Sequence, residues 1–183
     1  MKKTVLTFGF ISGGISTLLM IGVLPFKDYI GFDKGMIVGY TSMVLAFLMI
    51  FFGIRSYREN VGAGQISFGK AFAIGILITL ISCACYVIVW QIVYFFFMPD
   101  YLDQYAAYQA QKLRAAGETQ QVIDASIQEM KAFKEQYSNP LINAAYTFTE
   151  PFPVGLIITL VSAAILRKKK KNDVRGESLP ATA

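Results

Sequence analysis

Apolar residues along this chain gather into four long runs instead of alternating with polar ones. Residues 4–26, 35–54 and 71–99 carry no charged side chain, and between 136 and 166 Glu150 is the only one. A helix advances about 1.5 Å per residue, so roughly 20 residues cross a hydrocarbon core of about 30 Å. Every run is long enough, and none has a polar face wide enough for a helix packed in water. The pattern predicts an all-α, polytopic membrane protein with four transmembrane helices at about 5–24, 36–54, 71–98 and 151–166. The fourth starts at 151, or at 141 if it runs on through Pro151 and Pro153. Pro25 closes the first helix. A short loop with Lys27, Asp28, Asp33 and Lys34 then turns the chain, and a polar loop from Arg55 to Gly64 follows the second helix.

Between the third and fourth runs, residues 99–140 form the one substantial polar segment, and its periodicity predicts a helical hairpin. Tyr101, Tyr105 and Tyr108 share one face of a first helix that Gly117 ends. Thr119 is a candidate N-cap for a second. There Ile123, Ile127, Met130, Phe133 and Tyr137 recur at three- and four-residue steps. This stripe is expected to pack within the protein; the membrane surface or a partner protein are the other ways to cover it. Asn139-Pro140 breaks the helix. The whole reads as a single membrane domain over 1–171 and a disordered cytoplasmic tail over 172–183.

Composition agrees with a bilayer environment: 16% of residues are charged, against about 25% in soluble domains. Cys83 and Cys85 point some 200° apart on a helix and cannot bridge one another. The chain has no histidine, which removes the commonest metal ligand and general base. Lys2-Lys3 before an apolar run imitates a secretory leader, but the run is long and no small-x-small cleavage site follows it. An uncleaved first span is expected.

Charge sets the orientation. With four crossings, both termini and the 55–70 loop share a side. That side holds Lys2, Lys3, Arg55, Arg58, Lys70, Arg167, Lys168, Lys169, Lys170, Lys171 and Arg175, whereas the other holds only Lys27, Lys34, Lys112, Arg114, Lys131 and Lys134. Lysine and arginine favour the cytoplasmic side. The termini are therefore expected in the cytoplasm of a bacterial inner membrane, with 99–140 outside. Arg55, Arg58 and Arg167 to Lys171 act as topology anchors, and a basic tail beside a membrane exit does not call for nucleic acid.

Glu150 is the sharpest candidate for function, together with Pro151 and Pro153. A charge near the bilayer centre costs about 3 kcal/mol or more and marks functional residues. Two prolines within three residues suit a broken helix whose freed carbonyls face protein or water. On that reading Glu150 takes a proton or cation. On the competing reading the helix starts at Pro151, and Glu150 sits at the interface, complementing the helix dipole. Gly9 and Gly13 on the first helix, and Gly35 and Gly39 on the second, have the spacing that lets membrane helices pack closely, within the chain or in a homo-oligomer. Thr79, Ser82, Tyr86, Trp90 and Tyr94 form a polar-leaning stripe on the third. Residues 75–82 (GILITLIS) echo residues 155–162 (GLIITLVS), as in an inverted repeat. No H-E-x-x-H or P-loop is present, so neither enzyme activity, a metal nor a cofactor is expected.

Residues 53–58 (GIRSYR) and 66–72 (ISFGKAF), with 139–141 (NPL) and 150–156 (EPFPVGL), resemble a bacterial membrane family catalogued as domain of unknown function 4199. The resemblance covers about residues 4–171 and implies a four-helix inner-membrane protein, with no catalytic residues to carry over. The expected role is a non-enzymatic scaffold or accessory subunit whose surroundings are the lipid bilayer and whose protein partner docks on 99–140. The alternative is a small transporter or ion-pathway component using Glu150.

Overall fold

The computed structural model describes residues 1–168. Its helices are α1 (Lys2–Val23), α2 (Lys27–Asn60), α3 (Phe68–Ile92), α4 (Tyr101–Ala115), α5 (Gln120–Tyr137), α6 (Pro140–Thr149) and α7 (Pro151–Leu166). A 3-10 turn, Leu24–Phe26, joins α1 to α2, and a π turn, Val93–Phe97, extends α3. Among the described residues, four stretches are long and apolar enough to cross a membrane: Lys2–Phe26, Tyr29–Asn60, Phe68–Phe97 and Pro140–Leu166. The fold is all-α, and the chain is a membrane protein.

Two expected loops are helical. Residues 27–34 do not form a loop; the helix is interrupted only at Gly31, which adopts φ 71° and ψ 171°, a conformation that glycine alone reaches without strain. The polar residues after 54 also stay helical, to Asn60, with Arg55 and Glu59 paired at 2.9 Å one turn apart. The helix stops at Asn60, two residues before Gly62. The fourth crossing includes α6. Glu150 keeps helical angles (φ −75°, ψ −59°) between α6 and α7, so the span runs on past the prolines toward Asn139.

Packing follows the small residues. Val5, Gly9, Ser12, Gly13 and Ser16 form the buried face of α1. Ser12 donates to the Ala46 carbonyl at 2.9 Å and meets Ser82 at 3.0 Å, joining α1, α2 and α3. Met43, Phe47, Ile50 and Ile54 of α2 form one core with Ala71, Ile74, Ile78 and Cys83 of α3 and Ala163 and Leu166 of α7. At one end, Ile66 and Lys168 exchange backbone hydrogen bonds of 3.1 and 2.9 Å, and an Arg58 N–H donates to the Leu166 carbonyl at 3.3 Å.

At the other end α4 and α5 fold onto the bundle. The π turn carries Tyr94 into a second cluster with Leu102 and Tyr137, against which Trp90, Tyr101, Met130 and Phe133 pack. Gly117 ends the α4 segment at φ 78°. Thr119 caps α5 by position but makes no side-chain cap bond, whereas Asn139 accepts from the Leu141 N–H at 2.9 Å and caps α6. Phe32, just past the Gly31 break, lies 5.8, 5.3 and 5.1 Å from the Tyr101, Tyr105 and Tyr108 rings. Asp33 accepts from Tyr108 and, at 3.1 Å, from Lys112.

Candidate functional site

The site is built where three core-facing stripes run past a tight contact. A Cβ added to Gly75 would lie 2.7 Å from the Thr159 methyl, and one added to Gly155 would strike the Thr79 methyl, with Phe47 3.2 Å away. These glycines let α2, α3 and α7 touch closely. One turn and a half outward from Gly155 the next polar group is Glu150. The α3–α7 pairing and the Gln91 bond to the Pro140 carbonyl, 2.6 Å long, fix an antiparallel register. That register sets Glu150 opposite Cys83–Cys85, near Tyr86 and about two turns short of the Trp90 level. Glu150 thus lies toward the middle of both Phe68–Phe97 and Pro140–Leu166.

Two tyrosines lie one turn beyond the buried stripes of their helices. Tyr40 precedes Met43, Phe47, Ile50 and Ile54 on α2, and Tyr86 follows Thr79 and Ser82 on α3. Glu150 and Tyr40 both lie within electrostatic reach of the Tyr86 hydroxyl, and Glu150 also reaches that of Tyr101. Glu150 is exposed, Tyr86 and Tyr101 half-buried, and Tyr40 44% exposed. Outside the spans, burial pushes the Tyr101 phenol up to about 12, and the Glu150 charge adds to the effect.

A hydrogen-bonded seam joins α3, α5 and α6 about one turn before Glu150. Trp90 Nε1 donates to the Tyr137 hydroxyl at 2.9 Å, and Tyr137 meets Thr147 at 3.1 Å. Thr147 donates to Asn143 Oδ1 over a long 3.4 Å. Asn143 is fully buried, and its Nδ2 has no partner. Pro151 is buried and Pro153 exposed. Neither has an N–H, so the Thr147 and Thr149 carbonyls lose their helical donors. This is the break that divides α6 from α7 at Glu150.

The other expected residues separate into two groups. Gly9 and Gly13 pack against Ile81 and Cys85 of α3. Gly35 and Gly39 do not serve packing within the chain: nothing lies within 4 Å of a Cβ at either, because the outer half of α2 turns that face away from its neighbours. Arg55 pairs with Glu59 and Arg58 caps α7, while Arg167 and Lys168 follow the last span. Lys169, Lys170, Lys171 and the tail 172–183 lie outside the described residues. The sequence reading missed Tyr40 and Tyr101, whose roles depend on how α2 and α4 meet, and the notches at Gly53, Gly75 and Gly155. The echo between 75–82 and 155–162 was the available signal for the last two. Among the described residues no group of three His, Cys, Asp or Glu could hold a metal ion.

A family model described as "Protein of unknown function (DUF4199)" matches residues 7–168, which takes in all four spans and α4–α5. No curated protein and no solved structure matches the chain.

Proposed function

The chain belongs to the DUF4199 family, and we propose that it is a non-enzymatic component of a transport or ion pathway that uses Glu150 as a proton- or cation-accepting carboxylate. The observation that carries this reading is the depth of Glu150. It sits at a proline break near the middle of the fourth span, close to the level of Tyr86 and about two turns short of Trp90. A carboxylate at that depth costs about 3 kcal/mol or more unless a proton, cation or donor meets it. A helix break that exposes carbonyls beside it is the arrangement by which membrane proteins receive small ions. A bacterial inner membrane with both termini in the cytoplasm is part of the proposal, supported by the lysine and arginine count on the two sides.

A scaffold acting through residues 99–140 has less support. The apolar stripe of α5, which a partner would have to cover, is mostly used within the chain: Ile123 is 2% exposed and Tyr137 9%, with Ile127 left open at 37%, and Met130 and Phe133 pack on the second cluster.

A hydrophobic carbodiimide tests the reading, because it attacks protonated carboxyl groups inside apolar surroundings and leaves aqueous carboxylates largely untouched. Protein in nanodiscs should gain one adduct, mapped by mass spectrometry to Glu150, slower as pH rises and missing in Glu150→Gln. An unmodified Glu150, or equal labelling in the variant, would rule the carboxylate out.

A further inference from the structure

At the end of the bundle where α2 closes, α3 opens and α7 closes, we infer that the chain holds an anionic phospholipid: Lys70, Arg167 and Lys168 meet the phosphate of its headgroup, and Phe68 and Ile165 beside them meet its acyl chains.

Direct contacts bring the three segments together. Ile66 and Lys168 exchange backbone hydrogen bonds of 3.1 and 2.9 Å, which strap the exit of α7 to the entry of α3. Arg58 Nη1 donates to the Leu166 carbonyl at 3.3 Å and ties the end of α2 to the same place. Lys70 stands in the first turn of α3, where the N-cap Ser67 accepts its N–H at 3.3 Å. The backbones that carry Arg167 and Lys168 are thereby fixed beside the first turn of α3, and all three cationic side chains are exposed.

Charge and surroundings select the ligand. Residues 55–70 and 166–168 carry Arg55, Arg58, Lys70, Arg167 and Lys168 against one acid, Glu59. Glu59 is already engaged, at 2.9 Å from Arg55 and 3.2 Å from Arg58. Among the described residues, Lys70, Arg167 and Lys168 meet no carboxylate. The first turn of α3 has no acid either, so the positive end of its dipole adds to their field. A phosphate answers this excess, because its oxygens accept charge-assisted hydrogen bonds from several cations at once. The apolar neighbours favour a lipid over a soluble anion. Phe68, 41% exposed, stacks on Phe72 at 6.3 Å two residues before Lys70. Ile165, 65% exposed, lies two residues before Arg167. Basic residues grouped at the end of a span recruit anionic headgroups, whereas a zwitterionic headgroup brings an ammonium of its own that the cluster repels.

The other basic residues near this end supply the control. Lys2 and Lys3 open α1, which packs on α2 and α3 as α7 does, while α1 and α7 barely meet each other. The test titrates full-length protein in detergent with dioleoyl phosphatidylglycerol, against dioleoyl phosphatidylcholine, and counts bound lipid by native mass spectrometry. Phosphatidylglycerol should bind at concentrations about tenfold lower than phosphatidylcholine. Lys70→Gln/Lys168→Gln should weaken the first phosphatidylglycerol about tenfold. Lys2→Gln/Lys3→Gln removes the same charge away from α7 and should weaken it by less than about threefold. Circular dichroism verifies that each variant is folded, and the Lys168 backbone bonds survive its substitution. Inorganic phosphate at the same concentration should not displace the bound lipid. Equal binding of the two lipids, equal losses in the two double variants, or displacement by inorganic phosphate overturns the proposal: the first removes the charge selectivity, the second reduces the site to diffuse surface charge, and the third removes the need for acyl chains.

Discussion

Thr79 and Thr159 face one another across the α3–α7 contact with hydroxyls 3.1 Å apart, and each methyl fills the hollow over the other helix's glycine, Gly155 or Gly75. Two Gly-x-x-x-Thr segments therefore interlock head to tail. Thr79 also bonds the Gly75 carbonyl of its own helix at 3.0 Å, so its hydroxyl stays satisfied in a dry contact. Between helices in lipid there is no water to expel, and close approach with hydrogen bonding has to provide the adhesion. The echo between residues 75–82 and 155–162 thus has a packing use that needs no inverted repeat.

Gly155→Ala tests that contact. Its new methyl would strike Thr79 with Phe47 behind it, and overpacking of this kind costs about 1–3 kcal/mol. A lower Tm in detergent, followed by circular dichroism, is expected. The double variant Gly155→Ala/Thr79→Ser should recover part of the loss, since it withdraws the struck methyl. Gly35→Ala, with open space around it, should stay within about 0.5 kcal/mol of wild type. Equal losses at 155 and 35 would contradict the packing described.

The spans were legible because the bilayer demands one property, an unbroken run of apolar residues, that a sequence displays directly. Helix ends were less legible. Polar residues at 27–34 and 55–60 marked where the chain nears the headgroups, and that is compatible with continued helix, as Arg55–Glu59 shows. The Tyr101, Tyr105 and Tyr108 face was visible in the spacing, but not its target, because Phe32 is brought there by a positive φ at Gly31. Of the site, Glu150 stood out as an isolated charge. Its depth did not, since depth depends on the register between α3 and α7, and that is decided by glycine notches 80 residues apart in the chain.

Asn143 is the one fully buried amide whose Nδ2 lacks a partner among the described residues. An unmet donor costs about 1–3 kcal/mol, and the 3.4 Å bond it keeps is weak compensation. Asn143→Leu, similar in size, should leave the unfolding midpoint within about 1 kcal/mol of wild type or raise it. A loss above about 2 kcal/mol would mean that the amide is bonded to something else, such as a buried water.

Tyr137 ties α5 to the bundle. Its hydroxyl accepts from Trp90 and bonds Thr147, while its ring meets Tyr94 at 5.1 Å. Tyr137→Phe keeps the ring and strands the Trp90 N–H, at a cost of about 1–3 kcal/mol. Trp90 emission should shift, and trypsin should cut faster at Lys112 and Arg114 as α4 and α5 open locally. Unchanged emission and cleavage would mean that the seam does not hold the pair down.

Tyr101 makes the folded protein sensitive to alkali. Burial, then the Glu150 charge, raises its phenol to about 12 in the folded protein, against about 10 in an unfolded chain. Below pH 10 both states hold the proton and Tyr101 gives stability no pH dependence. Between about 10 and 12 the unfolded chain loses the proton first, so stability falls through that window. Absorbance at 295 nm, taken as wild type minus Tyr101→Phe, should show this one phenol ionising near pH 12. Glu150→Gln removes the neighbouring negative charge and should bring the Tyr101 transition to lower pH. A transition near 10 in the wild type would mean that Tyr101 stands in water and is not covered by Trp90 and Phe32.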